Sequence, residues 1–182
     1  MAELHVTGLI STATGFPLLP SAGLFLKFSW HAGSDWELLE GYQEGQTHCD
    51  VPAITDIEVM EAVLAHPVSV HYLCRSVIGW PKHAVQVFSL DEHGRTDIAG
   101  YGFAHVPTRP GHHKVDIACW APEAGSWANF TQSLVGGGPR LKAEDVVHTP
   151  GDRFRLQTRA AGLVHVELDV VAKDFHKHEV AL

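Results

Sequence analysis

The sequence predicts an all-β chain folded as an antiparallel β-sandwich. Two observations predict it. Apolar and polar residues alternate with a period of two in segment after segment, and Gly- and Pro-rich turns separate those segments. A third feature, two short stretches of helical spacing, adds two short helices in connecting segments. Eight or more strands are expected.

In chain order, the first strand covers about 3–11. In "LFLKFSWH", Leu24, Leu26, Phe28 and Trp30 point one way and Phe25, Lys27, Ser29 and His31 the other. The first helical pattern is "TDIEVMEAVLAHP". Thr55 and Glu58 have capping-box spacing, Ile57, Met60 and Leu64 form a stripe, and Pro67 ends it. In "PVSVHYLC", Val68, Val70, Tyr72 and Cys74 oppose Ser69, His71 and Leu73. Further strands fall at about 84–89 and 98–106. In "HHKVDIACW", Val115, Ile117 and Cys119 oppose Lys114, Asp116 and Ala118. The second helical pattern, "SWANFTQSLVGGG", has Ser126 as N-cap, Trp127, Phe130 and Leu134 on one face, and glycines as its stop. Each helix is expected to cover an end or face of the sandwich.

The C-terminal stretch "RFRLQTRAAGLVHVELDVVAKDF" reads as a hairpin. Ala160-Ala161-Gly162 would form its loop, with Gly162 left-handed. Counting outward, Arg155 faces Glu167 and Arg153 faces Asp169. On the other face Phe154 meets Leu168 and Leu156 meets Val166.

The 182 residues suit one domain at 1–175, followed by a tail at 176–182. With 45% hydrophobic and 19% charged residues, the chain has material for a full core. A formal charge of −8 disfavours nucleic acid and anionic lipid as partners. No apolar run approaches the ~18 residues of a membrane span, and "MAELHVTG" lacks a signal-peptide core. The expectation is a chain kept in the cytoplasm. The scattered, odd-numbered Cys49, Cys74 and Cys119 fit a reducing compartment and read as small half-buried hydrophobes.

Motifs for catalysis are missing: no G-x-S-x-G, H-E-x-x-H, C-x-x-C or G-x-x-x-x-G-K-[ST] occurs. "GGGP" lacks the lysine of a phosphate loop. The 14 histidines read as solvated strand-face groups. His112 and His113 point to opposite faces, His71 and His165 point outward, and His176 and His178 share a face only if extended. No metal site and no cofactor is expected from them.

"VFSLDEHGRTDIAGY" resembles the C2-domain pattern D-x-D-x-x-x-x-x-D-x-x-G. Ser89 stands at the first Asp, while Asp91, Asp97 and Gly100 match. Calcium needs six to eight oxygens. The other C2 ligand loop would be "STATGFPLLPSAG" (11–23), which carries no Asp or Glu. Ser89, Asp91 and Asp97 are therefore expected to be a vestigial calcium loop, with the two aspartates accepting hydrogen bonds from turn amides.

The stretch 79–127 resembles the B9 domain, a divergent C2-like sandwich. It carries Gly79-Trp80-Pro81, Gly100-Tyr101-Gly102 with His105-Val106-Pro107, and Pro110-Gly111 with His113. "MAELHVTGLISTATGF", "EGQT" at 44–47, "VGGGP" at 135–139 and "VHVELDVV" extend the likeness along the chain, although 52–66 is longer than the family pattern. Taken alone, Trp80-Pro81 would start a strand with a rigid bend and an apolar anchor. Gly100 and Gly102 suggest a close backbone approach or a bulge. What the resemblance implies is a non-enzymatic scaffold at the ciliary transition zone and basal body. Its partners would be other B9-domain proteins and Meckel-syndrome complex subunits, and its role to support the diffusion barrier and ciliogenesis. The alternative is a peripheral membrane-binding C2-like module, with Phe16, Leu18 and Leu19 of "GFPLLP" dipping into lipid.

Overall fold

The structure is a computed structural model, described here for residues 1–17, 22–54, 60–123, 147 and 157–178. Among these residues there are ten strands: β1 (Ala2–Thr14), β2 (Gly23–His31), β3 (Trp36–Gly41), β4 (Glu44–Gln46), β5 (Ala53–Ile54), β6 (Met60–Cys74), β7 (Lys82–Leu90), β8 (Thr96–His105), β9 (Gly111–Pro122) and β10 (Thr158–Lys173). A 3₁₀ turn, Phe175–His178, follows. All pairings are antiparallel, in the order β3-β6-β1-β10-β9-β8-β7-β2-β4, with β5 on β6. No described helix is long and apolar enough to cross a membrane.

The sheet curls so that β3-β6-β1-β10-β9 forms one layer and β8-β7-β2-β4 the other. Between β8 and β9 the ladder has two residue pairs, Tyr101↔Trp120 and Gly102↔Cys119. At the far side the chain passes from β3 to β4 through Tyr42 and Gln43 alone, linking the two ends of the strand order. Gln43 fixes that crossing: its carbonyl accepts from Trp30 N (2.8 Å) and its side-chain amide donates to Trp30 O (3.2 Å). The core fills the space between layers. Leu4, Val6, Ile10, Val70, Val164 and Leu168 of one layer meet Leu24, Leu26, Trp30, Val85 and Val87 of the other, each at most 2% exposed. Period two is thus the physical cause of the layers, since alternate residues on every strand must leave water together.

The first helical pattern is corrected. Residues 60–66 belong to β6, and 55–59 lie outside the described residues. Ala62 and Leu64 are fully buried while Val63 is 54% exposed, so the stripe that fits a helix also fits a strand. Pairing with β1 decides between them. Pro67 does not end the element. It lies in a stretch laddered to β1 alone, because β3 joins β6 only from Val70 and β5 only at Met60–Glu61. Side chains serve the backbone nearby, as Val63 N donates to Asp50 Oδ2 (2.8 Å). The second helical pattern, from Ser126 on, lies outside the described residues.

The C-terminal hairpin is also corrected. Residues 158–173 form one strand between β1 and β9. Glu167 meets Lys114 (3.1 Å) and Asp169 meets His112 (2.9 Å), where Arg155 and Arg153 were expected. Leu168 lies opposite His113 and Gly8, and Val166 opposite Val115 and Ile10. Residues 151–156 lie outside the described set. Ala161 is a bulge rather than a loop tip. Gly162 is not left-handed; it is small because the chains are close. A Cβ there would stand 2.6 Å from Thr14 O and 2.7 Å from the Phe16 ring.

Two outcomes test this packing. Gly162→Ala is expected to lose about 1–3 kcal/mol of stability in urea unfolding, from overpacking against backbone and an aromatic ring. The second concerns His83, which is 1% exposed, stacks on Trp30 (4.3 Å) and has no partner for either ring nitrogen. Burial pushes its pKa down to about 3. Above pH 6.5 the ring is neutral folded or unfolded, and stability is at its full value. Between pH 6.5 and about 3 only the unfolded chain takes up the proton, so this group removes stability, at up to about 1.4 kcal/mol per pH unit. Unfolding midpoints of His83→Leu are expected to fall less steeply than wild type between pH 7.5 and 5.

Candidate functional site

The glycine- and tryptophan-bearing motifs converge although they are far apart in sequence. Trp80 Nε1 donates to Val106 O (2.8 Å), and Val106 N donates to Pro81 O (3.0 Å). The two segments 79–81 and 105–107 therefore clasp each other at one end of β7 and β8. The Trp80 ring meets Trp36 edge-on at 5.1 Å and Phe175 at 6.0 Å. Trp36 in turn donates to Ile78 O (3.0 Å). Gly79 has a positive φ of 74°, and a Cβ on it would sit 2.5 Å from the Cα of Gly33. Pro81 is buried and Pro107 half-buried. His105 is exposed, with its ring against Phe103 at 5.7 Å. His113 Nε2 lies 2.7 Å from Arg109 O, closing the Pro110-Gly111 turn.

Gly100, Tyr101 and Gly102 sit where β8 meets β9. A Cβ on Gly102 would stand 2.8 Å from Cys119 Sγ and 2.9 Å from Ile117, and one on Gly100 would crowd Ala161, Phe16 and Cys119. Tyr101 packs on Trp120 at 5.6 Å. Ala99 is the extra residue of a bulge, since Val87 pairs with Gly100 and Phe88 with Ile98. Phe16 is buried at this junction and so does not present itself to lipid. Leu18 and Leu19 lie outside the described residues.

In the turn between β7 and β8, Asp91 is turned inward on its own loop. Oδ1 accepts from His93 N (2.9 Å) and Arg95 N (2.7 Å), and Oδ2 accepts from Arg95 Nε (2.7 Å). The Arg95 amide, ahead of the other donors, holds its carboxyl below the usual range. Ser89 lies opposite Asp97 in the β7–β8 ladder, and its hydroxyl donates to Asp97 O (3.4 Å). Among the cysteines, Cys74 and Cys119 are buried; Cys49 is exposed, which corrects its half-buried reading.

A cluster that the sequence reading missed lies on the outer face of β1 and β6. His5 and His71 are directly opposite each other, their rings stacked at 3.7 Å. Glu3 Oε2 lies 3.6 Å from His5 Nε2 and 3.5 Å from His71 Nε2. Lys173 Nζ reaches both Glu3 oxygens at 3.1 Å and, ahead of other causes, lowers the carboxyl pKa. Both histidines line a cleft of about 850 Å³ with Phe28, Glu40, Glu44 and His66. Outward alternation placed each histidine on a strand face, but sequence gave no means to know that β6 is the neighbour of β1.

An all-β, two-layered fold with these clasped motifs defines the class. The family profile for ciliary basal body-associated B9 proteins matches residues 4–171, and the chain belongs to that family. Within it, the chain is 42% identical to B9 domain-containing protein 2 of Bos taurus over 99% of both chains, and 41% identical to that of Homo sapiens over the same share. It is 30% identical to B9 domain-containing protein 1 of Xenopus laevis, over 96% of this chain and 86% of that one. Among solved structures, the C2A domain of plant Extended Synaptotagmin 1 aligns over 92% of each chain at 12% identity, with a TM-score of 0.44. The ciliary base is accordingly where this chain works.

Trp80→Phe keeps a ring but removes the donor to Val106. It is expected to cost about 1–3 kcal/mol in denaturant unfolding by leaving a carbonyl unpaired.

Proposed function

We propose that the chain is a non-enzymatic scaffold subunit of the ciliary transition zone. It joins sibling B9-domain proteins and Meckel-syndrome complex subunits and so supports the diffusion barrier and ciliogenesis. One observation carries the reading: the likeness runs along nearly the whole chain and extends to both B9 domain-containing proteins 2 and 1. Relatives that share one fold from end to end can differ in surface while keeping the same framework, and that is what sibling subunits of one assembly require. The motif residues fit this reading as framework: Trp80 and Pro81 clasp the ends of β7 and β8, the Trp80 ring packs on Trp36 of the other layer, and Gly100 and Gly102 allow the close β8–β9 approach that joins the layers. Asp91 likewise has its carboxylate engaged by its own turn.

Purified chain mixed with B9 domain-containing protein 1 is expected to co-elute as one complex in gel filtration. It is expected to stay in solution with acidic liposomes whether or not calcium is present. Calcium-dependent sedimentation with the liposomes, without co-elution, would reverse this and favour the peripheral membrane module.

A further inference from the structure

We propose that Glu3, His5 and His71 form a binding site for one divalent transition-metal ion, best suited to zinc. The three ligand atoms lie within 4.8 Å of one another. A tetrahedral ion with bonds of about 2.0–2.1 Å separates its ligand atoms by about 3.3 Å. The observed Oε2-to-Nε2 distances of 3.5 and 3.6 Å are already near that edge length. Two imidazoles and one carboxylate are the donor set that zinc shares with other late first-row metals, and not one that suits calcium or magnesium.

The backbone explains why the three groups converge. Glu3 and His5 are two apart on β1 and share its outer face, while His71 is the cross-strand partner of His5 on β6. The positions are therefore set by the ladder and not by a loop. A second observation points the same way. His71 Nε2 is enclosed and makes no hydrogen bond, with Glu3 Oε2 facing it at 3.5 Å, so a buried polar atom there has its hydrogen-bonding capacity unused. A metal ion would supply it.

Two features have to give way. The rings are stacked with 19° between their planes, so one must turn for both nitrogen lone pairs to meet at a point. His5, 39% exposed in its side chain, has the room. Lys173 holds the carboxylate and would be displaced from at least one oxygen; at 58% exposure it can swing into water. Three protein ligands leave a fourth position for water. Bound there, the ion would pin the N-terminal strand to β6 beside the cleft that contains Glu40 and His66.

The test uses the full chain with zinc chloride alone, by isothermal titration and equilibrium dialysis at pH 7.5. One zinc per chain is expected to bind saturably. His5→Asn and Glu3→Gln are each expected to weaken binding by at least about tenfold. His71→Asn is expected to do the same. Lys173→Met is expected to tighten binding by removing a competing cation, and His112→Asn to leave it unchanged. Cobalt(II) at the same site should show the visible absorption of a four-coordinate complex, lost in His5→Asn. His5 and Glu3 are surface positions, so those two variants decide the matter even if His71→Asn fails to fold. Absence of saturable uptake below about 100 µM zinc, a free energy weaker than about 5.5 kcal/mol, overturns the proposal. So does uptake that His5→Asn and Glu3→Gln leave unchanged.

Discussion

The corner between β8 and β9 is where the two layers are joined, and the ladder there amounts to two residue pairs. A junction that narrow holds only if the strands approach closely. Gly100, Gly102 and Gly162 make the approach possible, and Phe16, Cys119, Ile117 and Ala161 occupy the room their missing side chains leave. Burial is shared across the corner, so the core of each layer depends on the same few ångströms of clearance. The glycine and tryptophan motifs singled out in the sequence cluster around this corner and around the Trp80–Val106 clasp at the other end of β7 and β8. Their conspicuousness in the sequence has a mechanical origin.

Much of the fold was legible because burial on one face imposes alternation, and alternation is visible in a string of letters. Leu24, Leu26, Phe28 and Trp30 are buried as a set, and so are Val68, Val70, Tyr72 and Cys74. What failed was of two kinds. The segment around Met60 carries apolar residues at spacings that fit either period, and a long-range ladder to β1 resolved it. Gly162 carries no label saying whether its smallness serves a turn or a close contact. The polar pairing proposed for Glu167 and Asp169 had the wrong neighbours, since Lys114 and His112 of β9 are the residues that meet them.

Site reading divides along the same line. The Asp91 turn is local, and its side chain bonds within four residues, so sequence spacing could describe it. The Glu3–His5–His71 cluster joins residues 66 apart, and only strand order brings them together. Trp80 and Val106 also meet through topology; the sequence marked both as important without saying that they touch.

The passage from β3 to β4 through Tyr42 and Gln43 has a mechanical consequence. One margin of the sandwich is tied by a connector only two residues long, while at the opposite margin β8 and β9 are joined by the longer turn 106–110, a ladder of two residue pairs and side-chain fit. Any excursion that parts the layers must swing about the tied margin like a book about its spine. The strain would gather at the fore-edge, beside Tyr101 and Trp120. A load applied across the layers would thus be felt first at the glycine corner and last at the spine.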